Sequence, residues 1–220
     1  MSIELKKRIL TSTFLIVLLV AMYIYSFVMI ISLIIIGIIT WVEFYALISK
    51  IFVKNTLKSK FLRFSFKASS LLYLSLLIFF IIVIESYYIN LKIYFVYSLL
   101  VAIFSDIGGI VFGKFFKGKK LTKISPNKTI SGSIGSFVLP FLLIPFFQSE
   151  LIRYESSTLI MITIFISLTT QLGDLFISYL KRKAKVKNTS DILPGHGGFL
   201  DRIDGIIFAI PIGILLFNIF

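Results

Sequence analysis

At 220 residues, with 58% hydrophobic and 15% charged side chains and a mean hydropathy of +1.00, the chain is too apolar for a soluble globular core and falls among polytopic membrane proteins. Its formal net charge of +13 needs no nucleic-acid partner, because loops on one side of a membrane collect Lys and Arg. With no cysteine, disulfides and thiolate metal sites are excluded.

A bilayer core of about 30 Å takes roughly 20 apolar helical residues. In chain order, spans are predicted at 9–25, 27–48, 68–84, 91–112, 132–147, 158–180 and 199–220. The first and fifth are short, and the first two meet at a tight join near Ser26. Lys6, Lys7 and Arg8 precede the first span, but no small-residue cleavage site follows, so it reads as a membrane helix. There is no internal repeat, low-complexity tract or heptad series. The fold class is all-α, a polytopic helical integral membrane protein of about seven transmembrane helices. It is read as a single membrane domain over 1–220, with N-terminal helices in 1–67 and the site carried by helices and loops of 68–220.

Charge sets the orientation. Seven spans from a cytoplasmic N-terminus place four basic segments inside: Lys6 to Arg8; Lys50, Lys54, Lys58, Lys60, Arg63 and Lys67; Lys114, Lys117, Lys119, Lys120, Lys123 and Lys128; and Lys181, Arg182, Lys183, Lys185 and Lys187. Arg202 joins them, and only Lys92 and Arg153 fall outside.

Ionisable groups inside spans are costly and therefore functional candidates. Glu43, Asp106, Asp174, Asp201 and Asp204 form this set. Asp174 lies about 10 Å of helix rise before Lys181, and Asp106 stands similarly before the basic loop that begins at Lys114. Asp201 and Asp204 open the last span from the same side. Four acids thus share one depth, just below the cytoplasmic surface. Asp201 and Asp204, at i, i+3, share a helix face, as do Asp174 and Ser178 at i, i+4. Carboxylates without a His/Cys cluster suit a hard, oxygen-ligated cation such as Mg²⁺. The loops "GKFFKGKKLTKISPNKTISGSIG" (113–135) and "KRKAKVKNTSDILPGHGG" (181–198) add lysines, hydroxyls and glycines of the kind that bind phosphate. Metal-binding acids beside such loops point to a phosphorylated substrate and a polyphosphate co-substrate. Simpler readings stand beside these: topogenic lysines, His196 as a turn residue, Gly and Ser of 131–136 as helix-packing contacts, Glu43 as a buried hydrogen-bonding group, and the acids as structural ion pairs with Arg202 or Lys181.

"SYLKRKAKVKNTSDILPGHGGFLDRID" (178–204) resembles the C-terminal signature of the phosphatidate cytidylyltransferase (CDP-diglyceride synthase) family, with Ser178, Lys181, Arg182, Lys187, Pro194, His196, Gly197, Gly198, Asp201, Arg202 and Asp204 in register. "SDIGGIVFGKFFKGKKLTKISPNKTISGSIG" (105–135) is similar to a second family block, and "WVEF" (41–44) to its W-x-E motif. Where the family has carboxylates this chain has Asn188 and Ser131, and Gly109-Ile110 replaces an Ala-Tyr pair. The resemblance implies that CTP and phosphatidate give CDP-diacylglycerol and pyrophosphate on a helical membrane fold with a pair of metals. It implies Asp174 and Asp201 as ligands of Mg²⁺, with Asp204 a second choice and the identity of a second cation open. Lys128, Lys181 and Arg182 would hold phosphates, while Asp106, His196 and Arg202 complete the catalytic set. The expected setting is a bacterial cytoplasmic membrane with the site facing the cytoplasm, membrane lipid as partner, and a homodimer left open. The rival readings are a CTP-dependent polyprenol or dolichol kinase and a cation-coupled transporter.

Overall fold

Long apolar runs leave the backbone no partner in lipid except itself, and the chain answers with helices almost throughout. A computed structural model of the chain describes residues 3–122 and 124–220, so Lys123, counted above in the third basic segment, lies outside the described residues. The helices are α1 (Ile3–Ile24), α2 (Ser26–Ile51), α3 (Leu57–Tyr87), α4 (Ile89–Phe116), α5 (Ile130–Val138), α6 (Ile144–Phe147), α7 (Ser156–Lys183), α8 (Leu200–Ile203) and α9 (Ile206–Ile219). Seven helical stretches among the described residues are long and apolar enough to cross a membrane, and the chain is an all-α membrane protein. Isolated β-bridges pair Lys120 with Thr129 and Leu193 with Gly197.

Three spans depart from expectation. α3 starts at Leu57 rather than 68, so Lys58, Lys60, Arg63 and Lys67 lie on a helix and not in a loop. Lys and Arg are good helix formers, and their stems cover apolar surface while the charges reach out. The fifth span is interrupted: Pro140 enters a 3₁₀ turn over Leu139–Leu143, and Pro145 stands at the start of α6. Each proline removes a backbone donor. The last span breaks between α8 and α9 at Asp204 and Gly205. There the Asp204 Oδ1 accepts the Gly205 N–H at 2.9 Å, a local bond that competes with the helical ladder.

The packing divides the chain into two units, one built from the chain up to Ser86 with Leu180–Arg202, the other from Tyr87–Tyr179 with Ile203–Phe220. In the first, α2 and α3 run antiparallel. The Trp41 indole donates to the Lys67 carbonyl (3.2 Å), Phe52 stacks on Phe66 at 5.7 Å, and Ser26 bonds Glu85 (2.7 Å).

In the second unit the core is Tyr97, Val101, Leu159, Ile162, Ile166 and Phe217. The Tyr97 hydroxyl is satisfied by Thr163 at 2.6 Å. α4 and α5 meet backbone to backbone through Gly108, Gly109 and Gly113 against Gly132 and Gly135. This is the close approach that small residues permit between membrane helices. Thr129 caps α5 by accepting the Gly132 N–H (3.1 Å). Ser105 to Ser167 (2.9 Å) and Ser133 to Gln171 (2.6 Å) tie α4 and α5 to α7.

A Cβ at Gly132 would stand 2.7 Å from the Gly109 carbonyl oxygen, which is backbone and cannot swing aside. Gly132→Ala therefore destabilises the chain by about 1–3 kcal/mol, the usual cost of overpacking, read as a lowered melting temperature in detergent.

Candidate functional site

The loop between α7 and α8 is shaped by local rules before any chemistry enters. α7 ends with Lys185 at φ 56°, its N–H on the Arg182 carbonyl (3.1 Å) and the Val186 N–H on the Lys181 carbonyl (3.0 Å). That is a Schellman closure with lysine in the usual glycine position. Further on, Leu193 and Gly197 exchange backbone bonds at 2.9 and 3.1 Å around a turn whose Gly195 and Gly197 have φ of 77° and 85°. Gly198 is required for space: a Cβ there would meet Thr189 and lie 2.6 Å from the Glu43 carboxylate.

Glu43, 2% exposed on α2, holds this loop. One oxygen accepts from Ser190 Oγ and from the Phe199 N–H at 3.0 Å; the other accepts Thr189 Oγ1 and the Leu200 N–H, each at 2.8 Å. Two of these donors are the otherwise orphaned amides at the start of α8. Asp201 lies beside it. Its Oδ2 accepts the Thr189 N–H (2.9 Å) and the Gly198 N–H (3.0 Å), and its Oδ1 takes the Lys181 ammonium at 2.7 Å. The Lys181 and Asp201 side chains are only 11% and 8% exposed. Thr189 Oγ1 also stands 3.1 Å from Asp201 Oδ2, so one hydroxyl serves both acids.

His196 contributes mainly through its backbone. The Arg202 guanidinium grips the His196 carbonyl with Nε at 3.1 Å and Nη2 at 2.6 Å, while the imidazole Nε2 lies 3.3 Å from Ser12 Oγ. Burial, and then the positive charges of Arg202 and Arg8, hold the imidazole below its usual pKa. At neutral pH it is an uncharged turn residue. Asn188, standing where the resembled family has an acid, lies 3.2 Å from the position a Cβ on Gly197 would take.

The second unit carries the other expected residues. Lys128, just before α5, pairs with Asp174 on α7, and Asp174 also accepts from Ser178 Oγ at 3.2 Å. Asp106 sits half-buried on α4 beside Ser105, and Asp204 is buried where the last span breaks. Ser131, the other departure from the resembled family, donates to the Lys117 carbonyl. Arg182 reaches the Val186 carbonyl at 3.4 Å.

The arrangement thus joins Lys181 to Asp201, Arg202 to His196 and Lys128 to Asp174. Among the described residues no three Asp, Glu or His side chains converge on one point. A Mg²⁺ ion that takes one or two carboxylates, with phosphate oxygens and water, needs no such cluster, and the all-oxygen donor set fits it. Sequence reasoning placed Glu43 among the candidate intramembrane acids, with a buried hydrogen-bonding role as the simpler reading, and passed over Thr189 and Ser190. The polar triplet Asn188-Thr189-Ser190 in a basic loop was the available signal.

Two outcomes follow. Glu43→Gln turns an NH₂ group toward a backbone N–H or a hydroxyl donor, and it lowers stability by about 2–3 kcal/mol, seen as a lower melting temperature and earlier proteolysis in 188–199. For His196 the folded pKa lies below the unfolded value of about 6.5, so the unfolded chain binds more protons. Its contribution is complete above that value and is lost as pH falls through the folded pKa. Melting curves from pH 8 to 5 fall at the acid end, and His196→Asn removes that component.

The model of the cytidylyltransferase family matches residues 2–220. Curated phosphatidate cytidylyltransferases align as well: that of Staphylococcus haemolyticus (strain JCSC1435) is 40% identical over 122 residues, 54% of this chain and 46% of the relative. That of Bacillus subtilis (strain 168) is 40% identical over 129 residues, 58% and 48% of the two chains, and that of Staphylococcus saprophyticus 39% over 130, 57% and 50%. The aligned region spans about half the length of these curated relatives. With a match running almost end to end, the chain belongs to the cytidylyltransferase family.

Proposed function

We propose that the chain transfers the cytidylyl group of CTP to phosphatidate, giving CDP-diacylglycerol and pyrophosphate. The observation that carries this reading is the pairing of acid with lysine, Lys181 with Asp201 and Lys128 with Asp174. Each pair supplies a cation for phosphate and an oxygen donor for a metal. Relatives named phosphatidate cytidylyltransferase support the choice of substrates.

In the reaction a phosphate oxygen of phosphatidate attacks the α-phosphorus of CTP, and the bond from that phosphorus to the bridging oxygen of the β-phosphate breaks. Phosphatidate arrives as an anion, so no general base is needed and His196 moves no proton. Lys128, Lys181 and Arg182 hold phosphate oxygens. Arg202, fixed by the His196 carbonyl, keeps a forked donor at the mouth of the last span. Asp174 and Asp201, with Asp204 the second choice, would hold Mg²⁺, which when bound neutralises charge on the triphosphate and the departing pyrophosphate. Asp106 belongs to the catalytic set. The basic segments support a reading in which this chemistry faces the cytoplasm from a bacterial inner membrane.

The test is an assay of the purified chain in detergent with phosphatidate, Mg²⁺ and CTP labelled at either the α- or the γ-phosphate. Label from the α-position enters the lipid with equal release of pyrophosphate, and EDTA abolishes the transfer. Asp201→Asn and Asp174→Asn each lower turnover by about 10²–10³, as loss of one group that stabilises transition-state charge does. Label entering lipid from the γ-position, or none from a folded preparation, overturns the assignment.

A further inference from the structure

Apart from the acid and lysine groups above, α2 and α3 enclose a cleft of about 410 Å³ in the first unit. Lys60, Arg63 and Lys67 line it, spaced i, i+3 and i+7 along α3 and so aligned on one helix face. Opposite stand Trp41 and Tyr45, one turn apart on α2. The Lys67 ammonium lies 3.2 Å from the centre of the Tyr45 ring, and the Trp41 indole fixes the Lys67 backbone by its 3.2 Å bond. One turn further into the span the lining becomes Leu71, and among the described residues no carboxylate lines the cleft.

Topology alone does not call for this arrangement. A positive-inside signal needs charge near a span, whereas Arg63 and Lys67 are half-buried in a cleft that Trp41 and Tyr45 also line. The cleft is graded from cationic at the start of α3 to apolar further along it, which suits a ligand with an anionic head and a hydrocarbon tail. Arginine's planar fork matches phosphate, and aromatic side chains sit at headgroup depth. Three cations without an acid complement a phosphomonoester, which carries nearly two charges at neutral pH, better than a diester with one. We infer that this cleft binds the phosphomonoester headgroup of a membrane lipid, using Lys60, Arg63 and Lys67 for the phosphate.

The experiment reads binding and needs no nucleotide, so its result is separate from that of the transfer assay. The 220-residue chain is placed in phosphatidylcholine nanodiscs, alone or doped with phosphatidate or with phosphatidylglycerol, and its lysines are acylated with an amine reagent and mapped by mass spectrometry. Phosphatidate slows acylation of Lys60 by about tenfold, in line with a charged hydrogen bond to phosphate, and leaves Lys50 and Lys54 unchanged. Arg63→Gln abolishes that protection and Lys50→Gln does not. Absence of protection, or equal protection of Lys50 and Lys54 as diffuse attraction would give, overturns the site. Equal protection by phosphatidylglycerol overturns the phosphomonoester assignment. Should Arg63→Gln fail to fold, the footprint of the unsubstituted chain decides alone.

Discussion

A carboxylate within an apolar helix is tolerated only where donors close around it, and the first unit is organised by that requirement at Glu43. The penalty for leaving such a group unpaired runs to several kcal/mol, comparable with the whole stability of a domain. Four donors are therefore recruited, and all come from residues 189–200, a stretch 146 to 157 positions away in the chain. Satisfying one acid brings a loop and the start of a helix into a single conformation. Gly198 then has no freedom to be anything larger, because the carboxylate lies where its Cβ would be.

Asp201 inherits its position from this arrangement. Its Oδ2 is held by the Thr189 and Gly198 amides, and both residues also lie against Glu43. Its Oδ1 faces Lys181, whose place is set by the last turn of α7. Compensation of this kind has a functional consequence. Backbone amides cannot leave a carboxylate without unfolding the loop, but an ammonium on a flexible stem can exchange one anion for another. Lys181 and Lys128 are the partners of this exchangeable kind, and under the proposed function phosphate is the anion that would take the carboxylate's place.

Much of this was legible in the sequence, for identifiable reasons. Hydrophobic length locates all seven spans, since a bilayer permits few alternatives to a helix of about 20 residues. It misplaces the start of α3, where four cations mask a helix whose apolar residues Leu57, Phe61 and Phe64 are interleaved with them. It also misses the break at Asp204 and Gly205, which rests on one side-chain bond rather than on composition. The motif residues Lys181 and Asp201 were visible singly, as a phosphate-holding cation and a metal-binding acid, and their pairing only as the simpler structural reading. Glu43 was visible as an intramembrane acid and within WVEF, but no local pattern states that its partners lie beyond residue 188.

α2 links these observations. Glu43 lies two positions from both Trp41 and Tyr45, which on a helix turns it roughly 200° away from them. One side of α2 thus presents a buried acid to the loop that holds Asp201, and the opposite side presents two aromatic rings to the cations of α3. A W-x-E spacing is the shortest that gives a helix these two different faces. The tryptophan is anchored to α3 through the Lys67 carbonyl, and the glutamate is anchored to the loop through four donors. A change in the tilt or rotation of α2 must therefore strain both sets of bonds, and this gives the helix a single seating within its unit.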